Sequence, residues 1–293
     1  MRKLFALMVV ALAAVFAAPS SAIVNGTIDT QHTYVGLITF YDASGVYEHR
    51  CTGTLISPTV VLTAGHCTYG MASAQVWFET GPIPAGAYPL DPVESRPPCT
   101  GFTGFPCTGG LEGTPNAYPG FAFPGIVPPE DAAFPNTGDV GVVVLSEPVD
   151  SATYGALAPA GSLDALATKR GTQTVTFTIV GYGLQQEVGH KEIAERTRYV
   201  ATTQLVSLRS ALTAGFNLHM TANGGNGRGA TCFGDSGGPI FYDATNVIVA
   251  VTSFGHKFCV GSDYAFRIDQ QKVLDWIVAF DPSHITVARA LTG

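Results

Sequence analysis

Three short stretches of the chain hold side chains able to attack and cleave an acyl bond. His66 lies in Thr63-Ala64-Gly65-His66-Cys67, Asp139 in Gly138-Asp139-Val140, and Ser236 in Gly234-Asp235-Ser236-Gly237-Gly238-Pro239. Each alone is ordinary: a hydrogen-bonded histidine, an aspartate in a turn, a serine in a glycine loop. Together they supply a hydroxyl nucleophile, a base that titrates near neutrality and a carboxylate to orient that base. Glycines around the serine leave backbone N–H groups free of Cβ atoms, so a developing oxyanion can approach them.

The elements that must position these residues read as strands. Short β-branched or aromatic runs occur at 34–41, 51–56, 60–63, 75–79, 140–145, 174–180, 239–242 and 247–254, separated by Ser, Gly and Pro. His66 follows one such run, Asp139 opens another, and Ser236 precedes a third. Residues 80–138 are rich in Pro and Gly, show little periodicity, and read as barrel segment with large surface insertions. One helix is expected at 269–281, capped by Asp269, with Val273, Leu274, Ile277 and Phe280 on one face and Asp281-Pro282 as the stop. Many strands and one terminal helix argue an all-β barrel or sandwich.

Composition narrows the function. Lys and Arg total 15 against 22 Asp and Glu, and no basic run exists, so a nucleic-acid footprint is excluded. Charged residues make up 13% and apolar ones 46%, which excludes a disordered chain. Arg2 and Lys3, the apolar run 4–18, and small residues at Ser20 and Ala22 form a signal peptide over 1–22, cut after Ala22. The reading is therefore a secreted protein, extracellular or periplasmic, without a membrane anchor. In that oxidising compartment the six cysteines suggest three disulfides, with 15 pairings open. No C-x-x-C or H-E-x-x-H motif points to a metal, and no cofactor is expected.

The motifs resemble the chymotrypsin/trypsin family of secreted serine endopeptidases, in the form seen in microbial members. Ile23-Val24-Asn25-Gly26, the His66, Asp139 and Ser236 motifs, Gly181-Tyr182-Gly183 and Ser253-Phe254-Gly255 stand in the family's order. The resemblance implies two six-stranded antiparallel barrels (about 23–150 and 151–268), the helix at 269–281 and a tail at 282–293. It implies a catalytic triad of His66, Asp139 and Ser236, and an oxyanion hole from the N–H groups of Gly234 and Ser236. Ser253 corresponds to the serine that supports the aspartate. The family's disulfides imply Cys51–Cys67 and Cys232–Cys259, which leaves Cys99 to pair with Cys107. The implied activation ion pair joins a new Ile23 ammonium to Asp235. No basic residue precedes Ile23, so signal peptidase itself is expected to expose it. The partners implied are peptide and protein substrates and protein protease inhibitors, acting on a monomer.

Two rivals remain. Gly234-Asp235-Ser236-Gly237-Gly238 also fits a nucleophile elbow, but an elbow leads into a helix, whereas Pro239 leads into a strand-like run. The other rival is a catalytically inactive homologue acting as a binding or regulatory module. Specificity is where the chain departs from the family. Ala230, six residues before Ser236, matches the pocket base, and with Ser253, Phe254 and Gly255 implies apolar or small side chains before the cut bond. A carboxylate at Asp263 reaching the pocket would instead restore a preference for basic residues.

Overall fold

The computed structural model describes residues 23–83, 110–167, 174–184, 186–188, 191–193, 196–223 and 227–291. The signal-peptide reading, the Cys99–Cys107 pairing and part of the insertion fall outside these residues. In chain order the strands are β1 (Thr27–Ile28), β2 (Val35–Tyr41), β3 (Tyr47–Leu55), β4 (Val60–Thr63), β5 (Ser73–Trp77), β6 (Leu111–Ala117), β7 (Gly141–Leu145) and β8 (Ala156–Leu157). There follow β9 (Thr176–Gly181), β10 (Gln186–Val188), β11 (Lys191–Ile193), β12 (Tyr199–Ser207), β13 (Asn217–Ala222), β14 (Pro239–Tyr242), β15 (Val247–Gly255) and β16 (Gly261–Arg267). A one-turn helix α1 (Gly65–Thr68) follows β4, and α2 (Gln271–Val278) follows β16.

β2-β3-β4-β7-β6-β5 close into an antiparallel barrel. β12-β13-β16-β15-β14-β9 form a second ring, closed by the β9–β12 ladder, with β1 and β8 added at its margin. The two-barrel expectation is met. The β-branched and aromatic runs close these rings because their side chains fill both barrel interiors: every residue of β2 is buried. Within the poorly periodic segment the structure finds β6, paired to β5 and β7, where the sequence reading had no strand.

A buried guanidinium ties the barrels together. Arg198, just before β12, donates to the Asp29 carboxylate at 3.2 Å, to the carbonyls of Val35 and Phe78 at 3.1 and 2.9 Å, and to the Tyr182 hydroxyl at 3.0 Å. Tyr182 in turn donates to the Glu79 carbonyl at 2.6 Å. Burial opposes the charge on Asp29, but His32 and Arg198 beside it outweigh burial and hold the carboxyl below its usual range.

The terminal helix is shorter than expected, and its cap differs. Gln270, not Asp269, occupies the cap position and makes no side-chain capping bond. Asp269 is taken by the Arg267 guanidinium, at 2.9 Å to each carboxylate oxygen, and by the Leu163 N–H. Val273, Leu274 and Ile277 do bury on one face, as their spacing implied.

Candidate active site

The site is built where the two barrels meet. β4 ends at Thr63 and runs into α1, which presents His66; Asp139 stands just ahead of β7; Ser236 sits on the turn that feeds β14. Asp139 is fully buried. Its Oδ1 accepts the backbone N–H of His66 at 2.8 Å, and its Oδ2 lies 2.9 Å from His66 Nδ1. The Ser253 hydroxyl, on β15, donates a short hydrogen bond to the same Oδ2. These contacts fix the imidazole ring and favour the tautomer with the proton on Nδ1. Burial works against a charged ring, but Asp139 outweighs it, so the His66 pKa lies above its usual value.

The turn that carries Ser236 is held from the opposite barrel. Thr52, buried on β3, donates its N–H to the Ser236 carbonyl and its hydroxyl to the Gly234 carbonyl, both at 2.9 Å. Gly234 has φ of +99° and Gly237 of +76°, and a Cβ at Gly237 would lie 2.0 Å from Thr63 Oγ1, so the turn demands glycine there. Among the described residues, the N–H groups of Gly234 and Ser236 donate to no protein acceptor. They are free to receive a developing oxyanion. No hydrogen bond joins Ser236 to His66 among the described residues; such contacts often tighten only when substrate is bound.

Asp235 points away from the cleft and is fully buried. Its carboxyl accepts the N–H of Gly183 at 2.7 Å and of Cys232 at 2.8 Å. Burial pushes its pKa up to about 8, against the pull of those two N–H groups and of Arg50. Arg50 is itself buried and donates to the Tyr182 carbonyl at 2.9 Å. Ile23, the expected partner of Asp235, is fully buried in the core of the second barrel. With residues 1–22 attached its nitrogen is an amide and carries no charge.

Cys51–Cys67 and Cys232–Cys259 are bonded as the resemblance implied. The sulfurs of Cys51 and Cys67 and a His66 nitrogen lie within 4.8 Å of one another, but the disulfide removes both thiolates, so they form no metal site. His49 donates to the Cys67 carbonyl at 2.9 Å, a structural role.

A pocket opens beside Ser236. Ser253, Phe254 and Gly255 line it, together with Thr231, the Cys232–Cys259 disulfide and Asp263. Ala230 is not among the lining residues. It is fully buried, is bridged to Val24 by two backbone hydrogen bonds of 2.9 and 3.1 Å, and immediately precedes Thr231 of the pocket wall. Sequence reasoning missed Thr52 and Arg50, and left Asp263 as an alternative. Nothing in residue type signals Thr52; only the packing of β3 against the nucleophile turn does.

Comparison with known proteins agrees with this geometry. The chain matches the Trypsin family over residues 23–84 and 119–277. It is 37% identical over 62 residues to proproteinase E of Bos taurus, covering 21% of this chain and 24% of that protein. It is 36% identical over 81 residues to chymotrypsin-like elastase family member 3B of Homo sapiens, covering 26% and 30%. The matched segments thus span less than a third of these relatives' lengths. They are mammalian, so the expected likeness to microbial members is not supported. Among solved structures, HL collagenase superposes with a TM-score of 0.58 at 16% identity, covering 89% of this chain and 99% of the other. A mutant of human heparin binding protein superposes at 0.54 and 19% identity, covering 89% and 99%. These structural likenesses concern the fold. The family match spans most of the chain and includes all three motif residues: this chain belongs to the Trypsin family.

Proposed function

We propose that the protein is a secreted serine endopeptidase that cleaves peptide bonds through an acyl-enzyme. The observation that carries this reading is the buried Ser253–Asp139–His66 network next to a serine turn with two unused N–H groups. Ser236 Oγ attacks the substrate carbonyl while His66 Nε2 takes its proton. Asp139 holds the Nδ1 proton and stabilises the imidazolium. The N–H groups of Gly234 and Ser236 receive the oxyanion, and removing one such donor typically costs about 3 kcal/mol of transition-state stabilisation. His66 then protonates the departing amine, and a water repeats the sequence to release the acid.

Activation follows from the same frame. Cleavage after Ala22 would turn the buried Ile23 amide into an ammonium available to pair with buried Asp235, which directly precedes Ser236. Peptide and protein substrates, protein inhibitors as partners and a monomeric state belong to this reading. Two disulfides fit a secreted protein, and no helix among the described residues is long and apolar enough to cross a membrane. The complete triad speaks against an inactive homologue. A preference for apolar or small side chains before the cut bond, with Ala230, Ser253, Phe254 and Gly255 as the pocket residues, also belongs to this reading, and Ser253, Phe254 and Gly255 line the pocket beside Ser236.

A fluorophosphonate probe tests the chemistry. Wild-type protein should be labelled at Ser236, and Ser236→Ala should be folded, unlabelled and slower by many orders of magnitude. Folded wild-type protein that resists labelling would refute the reading.

A further inference from the structure

Arg50, on β3, holds a guanidinium almost wholly out of water: the residue is 6% exposed. Nη1 donates to the Tyr182 carbonyl at 2.9 Å, which draws the side chain from the first barrel across to the second. There it meets the turn that carries Ser236. A Cβ built on Gly234 would stand 3.3 Å from both Cζ and Nε of Arg50, so the guanidinium lies against the face of Gly234 from which a side chain would project. The Phe233 carbonyl accepts the Leu184 N–H at 2.7 Å, and the Gly234 carbonyl accepts the Thr52 hydroxyl at 2.9 Å. Both carbonyls flanking the Gly234 Cα are thus engaged, while the Gly234 N–H donates to no protein acceptor among the described residues.

A neutral amide side chain could donate to the Tyr182 carbonyl, so what arginine adds there is positive charge. Burying such a charge is unfavourable unless negative charge faces it. Asp235 is one acid that feels it: burial pushes the Asp235 pKa up to about 8, and Arg50 is among the groups that oppose the rise. A second negative charge exists only during reaction, as the oxyanion received by the Gly234 N–H. A fixed cation beside that N–H favours the tetrahedral intermediate over the neutral substrate carbonyl and needs no movement to do so. We infer that Arg50 is a positioning residue of the oxyanion turn, whose positive charge, set against Gly234, strengthens the hole for the tetrahedral intermediate. The inference rests on the endopeptidase reading and adds to it a side chain that acts through Gly234.

The test uses the mature secreted protein and a peptidyl trifluoromethyl ketone. Ser236 Oγ adds to the ketone carbon, the carbonyl π pair becomes the oxyanion, and the serine proton passes to His66. Fluorine NMR against pH reads the ionisation of that adduct. His66, Asp235 and Asp263 are the other titratable groups around the site, and they are the same in every variant. Arg50→Gln keeps a donor for the Tyr182 carbonyl without the charge. It should raise the pKa of the adduct by at least about one pH unit. It should also lower kcat about 10- to 100-fold with KM little changed. Arg50→Lys keeps the charge and should return both quantities toward wild type. A folded Gln variant with wild-type ionisation and kcat overturns the inference. So does a Lys variant as impaired as Gln, which would mark a packing role. A crystal structure of the wild-type adduct tests the placement even if neither variant folds: a guanidinium packed on Gly234 supports it, and one turned away overturns it. Wild-type protein that forms no adduct would sink the endopeptidase reading and this inference with it, whereas an adduct indifferent to Arg50 leaves that reading standing.

Discussion

Replacing Asp139 by Asn should disable the site in a way the hydrogen bonds spell out. Oδ1 accepts the His66 backbone N–H at 2.8 Å, while Oδ2 faces His66 Nδ1 at 2.9 Å. An asparagine has one acceptor oxygen and one donor NH2 for these two places. If the oxygen takes the backbone N–H, the NH2 faces Nδ1, and the ring must carry its proton on Nε2, where it cannot accept one from Ser236. If the oxygen faces Nδ1, two buried donors confront each other, at a cost of about 1–3 kcal/mol. Loss of the charged partner for the imidazolium removes a further ~1.5–3 kcal/mol. The sum, roughly 2.5–6 kcal/mol, corresponds to about two to four decades in kcat at 1.36 kcal/mol per decade. The pH profile adds a second signature. Asp139 holds the His66 pKa above its usual 6.5, so stabilisation by the charged ring is full below that value and lost as pH rises through the folded one. Activity needs the neutral ring and rises over the same interval. In Asp139→Asn burial acts alone, and the acid limb should move to lower pH. Steady-state kcat against pH measures both effects. A folded variant within tenfold of wild type, with its acid limb unmoved, would refute the arrangement.

Three further outcomes follow from the surroundings of the triad. Gly183→Ala would place a Cβ 2.4 Å from Asp235 Oδ2, displacing the carboxyl that braces the nucleophile turn; kcat should fall at least about tenfold, and wild-type turnover would contradict the bracing role. Removing the Cys51–Cys67 bridge with a double Ala variant should cost about 3 kcal/mol, or roughly 6–12 °C in Tm by calorimetry. The third concerns Asp235, whose carboxyl pKa is raised from 3.8 to about 8 by burial. Its contribution to stability is full below the ordinary carboxyl range and lost as pH climbs through 8, provided that no ammonium pairs with it. Tm should therefore decline between pH 4 and 8 for chain still carrying residues 1–22, and decline less for chain beginning at Ile23; parallel curves would argue against the ion pair.

His66, Asp139 and Ser236 were legible as candidates because each stands in a short contiguous motif, and most strands of the first barrel were legible because both ends of each run are punctuated. β6 was not: Leu111–Ala117 alternates weakly, contains Pro115 and is largely half-exposed, so neither period nor composition marks it. β13 and β16 were missed because His219, Ser262 and Asp263 interrupt their apolar residues. The pocket wall was legible only in part: Ser253, Phe254 and Gly255 stand in one short run, whereas Asp263 comes from the neighbouring strand. Asp263 reaches the pocket because the β15–β16 register sets it opposite Gly255, and a register across two distant segments cannot be read from either one. The helix cap misled because Asp269 is a good capping residue in isolation, whereas Arg267 two residues earlier binds it bidentately.

What the fold adds to the motifs is reciprocity between the barrels. The first barrel supplies His66 and Asp139, yet Asp139 is completed by Ser253 from the second. The second barrel supplies Ser236, yet its turn is held by Thr52 from the first, whose hydroxyl also accepts the Tyr182 N–H at 3.1 Å. Neither barrel alone contains a finished base or a finished oxyanion turn. Docking of the two, reinforced by Arg198 and Tyr182, is therefore what brings His66, Ser236 and the free N–H groups into one cleft. A small loss of docking precision would weaken catalysis while both barrels stayed folded, because hydrogen bonds of this kind fail over fractions of an ångström whereas barrel cores do not.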